Sequence, residues 1–174
     1  MNQALYNDVW QQLLDAERCC RYHYELAGRY RKYQKIPRWI MAVSSVVGAT
    51  SVFTRDWIGF ADVLYVPAAL LMLSAVVWDL MHDHGEKAAI LKSISVECAE
   101  LETELKDLWR SVYTKSSIDE VQVNSRLREI ESRLERVTSR SADIKVDEEL
   151  NEKSQKEGFK VISDRYTNSE LQTT

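Results

Sequence analysis

Apolar positions in this chain recur at helical spacing in three stretches and run together, almost without charge, in two more. Leu5, Val9, Leu13, Ala16, Cys20, His23, Ala27 and Tyr30 follow one another by threes and fours, which predicts an amphipathic helix over residues 1–35. Trp39 to Thr54, WIMAVSSVVGATSVFT, then carries no charge, and after Arg55 and Asp56 the run from Trp57 to Trp78 is interrupted only by Asp62. Further on, Ile94, Cys98, Leu101, Leu105, Leu108 and Val112 alternate four and three without a slip, a heptad seam. Thr114 to Ser117 breaks that helix. Ser117 and Glu120 have capping-box spacing at the start of the next, where Val123, Leu127, Ile130, Leu134 and Val137 carry the rhythm on to about Arg140. Residues 141–174 lose the periodicity and read as a charged tail. Its one apolar cluster, Phe159 to Ile162, docks either on the coil or on a partner.

The two uncharged runs predict a transmembrane hairpin over residues 36–81, with spans of about 36–54 and 57–81. Sixteen helical residues reach about 24 Å against a hydrocarbon core near 30 Å. Ile36 and Pro37 extend the first span if Arg38 snorkels to the headgroups. Trp39, Trp57 and Trp78 stand at three of the four ends and Phe53 near the fourth, where aromatic rings favour the interface. Lys35 and Arg38 complete the expected interface anchors. The competing reading is an apolar hairpin buried inside a soluble helical bundle.

Composition supports an all-α chain. Its 174 residues include only 5 Gly and 2 Pro, too few for the many turns of a β fold. Charge adds direction. Residues 1–38 hold seven Lys/Arg against four Asp/Glu, crowded before the first span. By the positive-inside bias this places both termini in the cytoplasm. The expected fold is thus an all-α membrane protein, a two-helix transmembrane hairpin flanked by long amphipathic and coiled-coil cytoplasmic helices, the coil spanning residues 82–140. Gly85 is the natural hinge between the second span and that coil. The start of the chain lacks the basic and apolar regions of a cleavable signal.

No catalytic constellation stands out, so no enzyme, cofactor or metal is expected: there is no Gly-rich phosphate loop, CxxC or HExxH. His82 and His84, two apart, point in different directions on a helix. The vicinal Cys19 and Cys20 read as packing. Arg18 to Arg38 interleaves basic residues with Tyr22, Tyr24, Tyr30 and Tyr33, a pattern that could stack single-stranded nucleic acid. Its place beside a span favours anionic headgroups, so the partner is the lipid bilayer and not nucleic acid. Within the first span Ser44 and Gly48, then Ser45 and Ala49, form small-xxx-small pairs with Ser51 beyond them. They serve either close helix packing or, in an oligomer, a polar path. Asp62 either stays hydrated near the interface or faces a lumen or protomer contact, and Pro67 removes a hydrogen bond and can kink its helix.

The basic, Tyr-rich stretch RYHYELAGRYRKYQKIPRW, followed by two spans with a minimal loop and a long charged coil, resembles the bacterial SLATT proteins. These are two-transmembrane effectors that associate with SMODS nucleotidyltransferases and SLOG nucleotide-sensor domains. The resemblance covers about residues 15 to 140 and implies an effector of a bacterial conflict or anti-phage system, an oligomer that permeabilises the inner membrane. No sensor domain is recognisable here, so a separate nucleotide-linked sensor or activator would be the partner. The alternative is a membrane-tethered coiled-coil adaptor with no pore activity.

Overall fold

The computed structural model describes residues 3–53, 61–114 and 119–170, with only the backbone described at 3, 48–53, 61–65, 113–114 and 167–170. Five helices make up the described residues: α1 (Gln3–Phe53), α2 (Ala61–His82), α3 (His84–Thr114), α4 (Glu120–Ser139) and α5 (Glu148–Glu170). They divide into two compact units, one of Met1–Ala27 with Ala89–Thr174, the other of Gly28–Ala88.

The first unit is a helical bundle built on the predicted apolar stripes. Leu5, Val9, Leu13 and Ala16 of α1 meet Leu101, Leu105, Leu108, Trp109 and Val112 of α3, Val123, Leu127 and Ile130 of α4, and Ile162 of α5. One end is aromatic: the Trp109 ring lies 4.1 Å from Tyr6, 5.0 Å from Trp10 and 5.8 Å from Tyr166, centroid to centroid. Polar ties follow the same seams. Arg133 of α4 grips Glu104 of α3 with both carboxylate oxygens, at 2.8 and 2.9 Å, and Lys153 of α5 reaches Glu25 of α1 at 3.1 Å.

Four points left open or expected otherwise are decided in this unit. The heptad seam of α3 is covered by this chain's own α1, α4 and α5, so it is not open for pairing with another copy. The tail is not loose, because α5 docks through Leu150, Ser154, Gly158 and Ile162, one face at strict four-residue spacing, with Tyr166 partly buried beyond them. Asp147 starts this helix by accepting from the Leu150 amide at 3.0 Å, an N-cap. On α1 the buried position is Cys19, with Cys20 only partly covered. The cap of α4 is Asp119, whose side chain accepts from the Val121 amide; Ser117 lies outside the described residues.

In the second unit α1 runs on as unbroken helix through Pro37, so the boundary expected at residue 35 is not a break in structure. A proline inside a helix costs about 3 kcal/mol in lost hydrogen bonding and ring clash, but the Pro37 ring is fully buried, and that packing opposes the cost. One helix among the described residues, within Val66–Val112, is long and apolar enough to cross a membrane. The first expected span is not shown, because its described side chains end at Val47, only eight residues after Trp39. Between α2 and α3 the chain breaks at Asp83, whose φ is 43°. The break therefore precedes Gly85, which lies inside α3 with Gln34 closing on the place a Cβ would occupy.

Candidate membrane-inserting site

Burial in the second unit is inverted relative to a water-soluble core. The large apolar side chains point outward: Trp39 is 69% exposed, Leu73 62% and Met81 74%, and Ile36, Val43, Val46, Leu70, Leu71, Val77 and Trp78 are exposed with them. The buried residues among those described are small or compact. They are Pro37 and Ser44 on α1, Ala68 and Ala75 on α2, and Ala88 on α3. In water this arrangement would expose apolar area at a cost of about 25 cal/mol per Å². In lipid it costs nothing, and small residues at the contact let the backbones approach closely.

Of the residues expected to pack the hairpin, Ser44 is buried. Ser45 is exposed, with its hydroxyl donating to the Met41 carbonyl at 2.7 Å and lying 3.8 Å from the Met72 sulfur of α2. That contact ties α1 to α2. Gly48, Ala49 and Ser51 lie on the backbone of α1 and Asp62 on that of α2, with side chains outside the described residues. Pro67 is exposed and does not interrupt α2. Of the anchors, Lys35, Arg38, Trp39 and Trp78 are exposed, and Trp57 is outside the described residues. Ala68 and Ala75 were missed by sequence reasoning, although their spacing of seven, on the scale of small-residue contacts in spans, was there to be read.

A ring cluster lies at the α2–α3 break. The Trp78 indole stacks on His82 at 4.2 Å, and His82 stacks on His84 at 5.3 Å. Tyr30 and Tyr33 of α1 close on His84 at 5.7 and 5.8 Å. The two histidines therefore do not point apart, because the left-handed turn at Asp83 replaces the helical step that would have separated them. Desolvation, and then the neighbouring His82 and Lys87, hold the His84 imidazole below its usual pKa, against the pull of Asp79 and Asp83.

The first unit buries a carboxylate pair and a thiol–imidazole cluster. Glu17 of α1 and Glu102 of α3 hydrogen-bond to each other. Burial and Glu17 raise the Glu102 pKa. Glu17, though desolvated, is lowered by its bonds to Glu102 and Arg21. Arg21 lies 2.5 Å from Glu17, and Lys106 pairs with Glu102. Nearby, Cys19 and Cys98 meet with sulfurs 2.7 Å apart, and His23 lies beside them. Reading His23 with Cys20 hid this cluster, although Cys19 and His23, four apart, share a helix face.

Comparison of the chain with protein-family models, curated proteins and solved structures gives no match.

Proposed function

We propose that this chain is a non-enzymatic effector of a bacterial conflict system, held in the inner membrane by a two-span hairpin over residues 36–82, with both termini and the helical bundle in the cytoplasm. On activation by a separate sensor protein, copies associate through the hairpin and permeabilise the membrane. The observation that carries this reading is the inverted burial of the second unit: large residues outward, with Ser44, Ala68 and Ala75 inward. The SLATT-like arrangement of basic helix, hairpin and coil supports the effector role. Because the bundle's own helices cover its heptad seam, association falls to the hairpin rather than to a coiled coil.

The test is membrane potential, read by a voltage-sensitive dye in bacteria induced to express the full chain together with its neighbouring genes. The wild type depolarises the cells. Ser44→Leu, which holds the two helices apart, abolishes depolarisation yet still pellets with membranes after an alkaline carbonate wash. Undiminished depolarisation by that variant would refute the packing basis of the proposal. The same closed bundle favours one other reading, an anchored adaptor that presents its surface to a partner. Activity that survives exchange of residues 36–82 for an unrelated hairpin would establish the adaptor instead.

A further inference from the structure

Cys19, His23 and Cys98 form a compact set of soft donors inside the bundle. Their ligand atoms all lie within 4.8 Å of one another, and they come from two helices, the cysteines 79 residues apart in sequence. Cys98 is fully buried and Cys19 and His23 nearly so, in a pocket walled by Ile94 and by the partly buried Ile90, Leu134 and Val137. Two thiols and an imidazole add no packing advantage there over the aliphatic residues around them.

We propose that these three residues bind a divalent thiophilic cation of the Zn²⁺ class, with Cys19 Sγ, Cys98 Sγ and His23 Nδ1 as ligands. Charge is the first argument. Two thiolates balance one divalent ion, so the occupied site is neutral, as a buried site must be. Shape is the second. His23 Nδ1 lies 3.4 Å from Cys19 Sγ, close to the edge of about 3.5 Å that Zn–S and Zn–N bonds subtend at a tetrahedral angle. The two sulfurs, at 2.7 Å, move apart to about 3.8 Å as the ion enters between them, the corresponding S–S edge.

The support behind the ligands is the third argument. Ser141, just past α4, donates its hydroxyl proton to the Thr138 carbonyl at 2.8 Å. Its oxygen is then an acceptor for His23 Nε2–H, 3.1 Å away. In that tautomer Nδ1 carries a lone pair 3.4 Å from Cys19 Sγ. A ligating histidine commonly has its other nitrogen fixed in this way by an outer partner. Without the ion, Nδ1–H can instead donate to the Cys19 carbonyl at 2.8 Å, and the Ser141 hydroxyl then donates to Nε2 in place of the Thr138 carbonyl. Binding exchanges that bond for the metal. As the two S–metal bonds form, the two thiol protons leave to solvent, while His23 stays neutral and transfers its remaining proton to Nε2. Water takes the fourth position. The ion would tie α1 to α3 directly and, through Ser141, to the end of α4.

The experiment uses the purified full chain in detergent under reductant, titrated with Co²⁺ and then Zn²⁺. The expected result is one Co²⁺ per chain, with thiolate-to-cobalt charge-transfer absorption that Zn²⁺ abolishes and with two protons released per ion. Cys98→Ser should lose the absorption, whereas Cys20→Ser, which alters the neighbouring thiol only, should keep it. A wild-type chain that is helical by circular dichroism and shows no charge-transfer band would overturn the proposal. So would equal loss in Cys20→Ser, or a Cys19–Cys98 disulfide in protein isolated from cells under thiol-blocking conditions.

Discussion

Ile162→Ala tests whether α5, near the C-terminal end of the chain, is part of the core. Ile162 is fully buried, and truncation removes three carbons, about 2.4 kcal/mol at roughly 0.8 per buried methylene. The cavity left behind brings the cost to about 3 kcal/mol. If α5 opens from the bundle as a unit, its open population rises more than 100-fold, since every 1.4 kcal/mol or so is tenfold. Trypsin reads this directly, because Lys153, Lys156, Lys160 and Arg165 all lie on α5. Cleavage at these sites, followed by mass spectrometry at low protease, should accelerate by about two orders of magnitude. Phe159→Ala, at a residue 58% exposed, should change it by less than about threefold, as surface substitutions usually fall within about 0.5 kcal/mol. Equal cleavage of Ile162→Ala and wild type, or equal acceleration in both variants, would refute the docking of α5.

Three further outcomes follow from the same bundle. Ser154 is fully buried and its hydroxyl has no partner, so Ser154→Ala should raise stability by about 1 kcal/mol in urea unfolding. A Cβ at Gly158 would meet Glu17 Cγ at 3.5 Å and the Arg18 amide at 3.6 Å, ordinary contacts; Gly158→Ala should therefore stabilise by about 0.5–1 kcal/mol, whereas Gly158→Leu, with no room beyond the Cβ, should destabilise. Arg140, and then Ser93, hold the Glu97 carboxyl below its usual pKa of 4.5. A depressed carboxylate pKa gives stability that is present above the unfolded value and lost as pH falls through the folded one. Glu97→Gln should thus cost under about 1 kcal/mol at pH 7, the range of exposed pairs, and the difference from wild type should vanish as pH falls through the lowered carboxyl pKa; a cost independent of pH would contradict the ion pair.

How far the sequence could be read depended on what filled each core position. The stripes of α1, α3 and α4 are made of Leu, Val and Ile at threes and fours, and these residues carry the bundle as expected. The stripe of α5 was hidden because two of its buried positions are Ser154 and Gly158, which have no hydropathy signal, and Gly158 is buried by close approach to α1. Burial of the α3 seam within the chain was likewise beyond periodicity, since a heptad repeat does not say whose helices cover it. At the hairpin, Ser44 was readable as a small residue in an apolar run. The ring cluster was not, because it depends on the left-handed turn at Asp83, a residue with no special claim to that conformation. The thiol–imidazole set needed α1 and α3 to be brought together, and only its Cys19–His23 half was local.

The proposed function requires lipid contact by the outward face of the hairpin. Spin labels at Leu73 and at Ala75, in the full-length chain reconstituted into vesicles, measure that contact by collision with oxygen, which concentrates in the bilayer, and with a water-soluble nickel chelate. The label at Leu73 should collide freely with oxygen and hardly with nickel, and the label at Ala75 should be shielded from both. Ready access of nickel to the label at Leu73 would place that face in water and rule out a membrane-inserted hairpin.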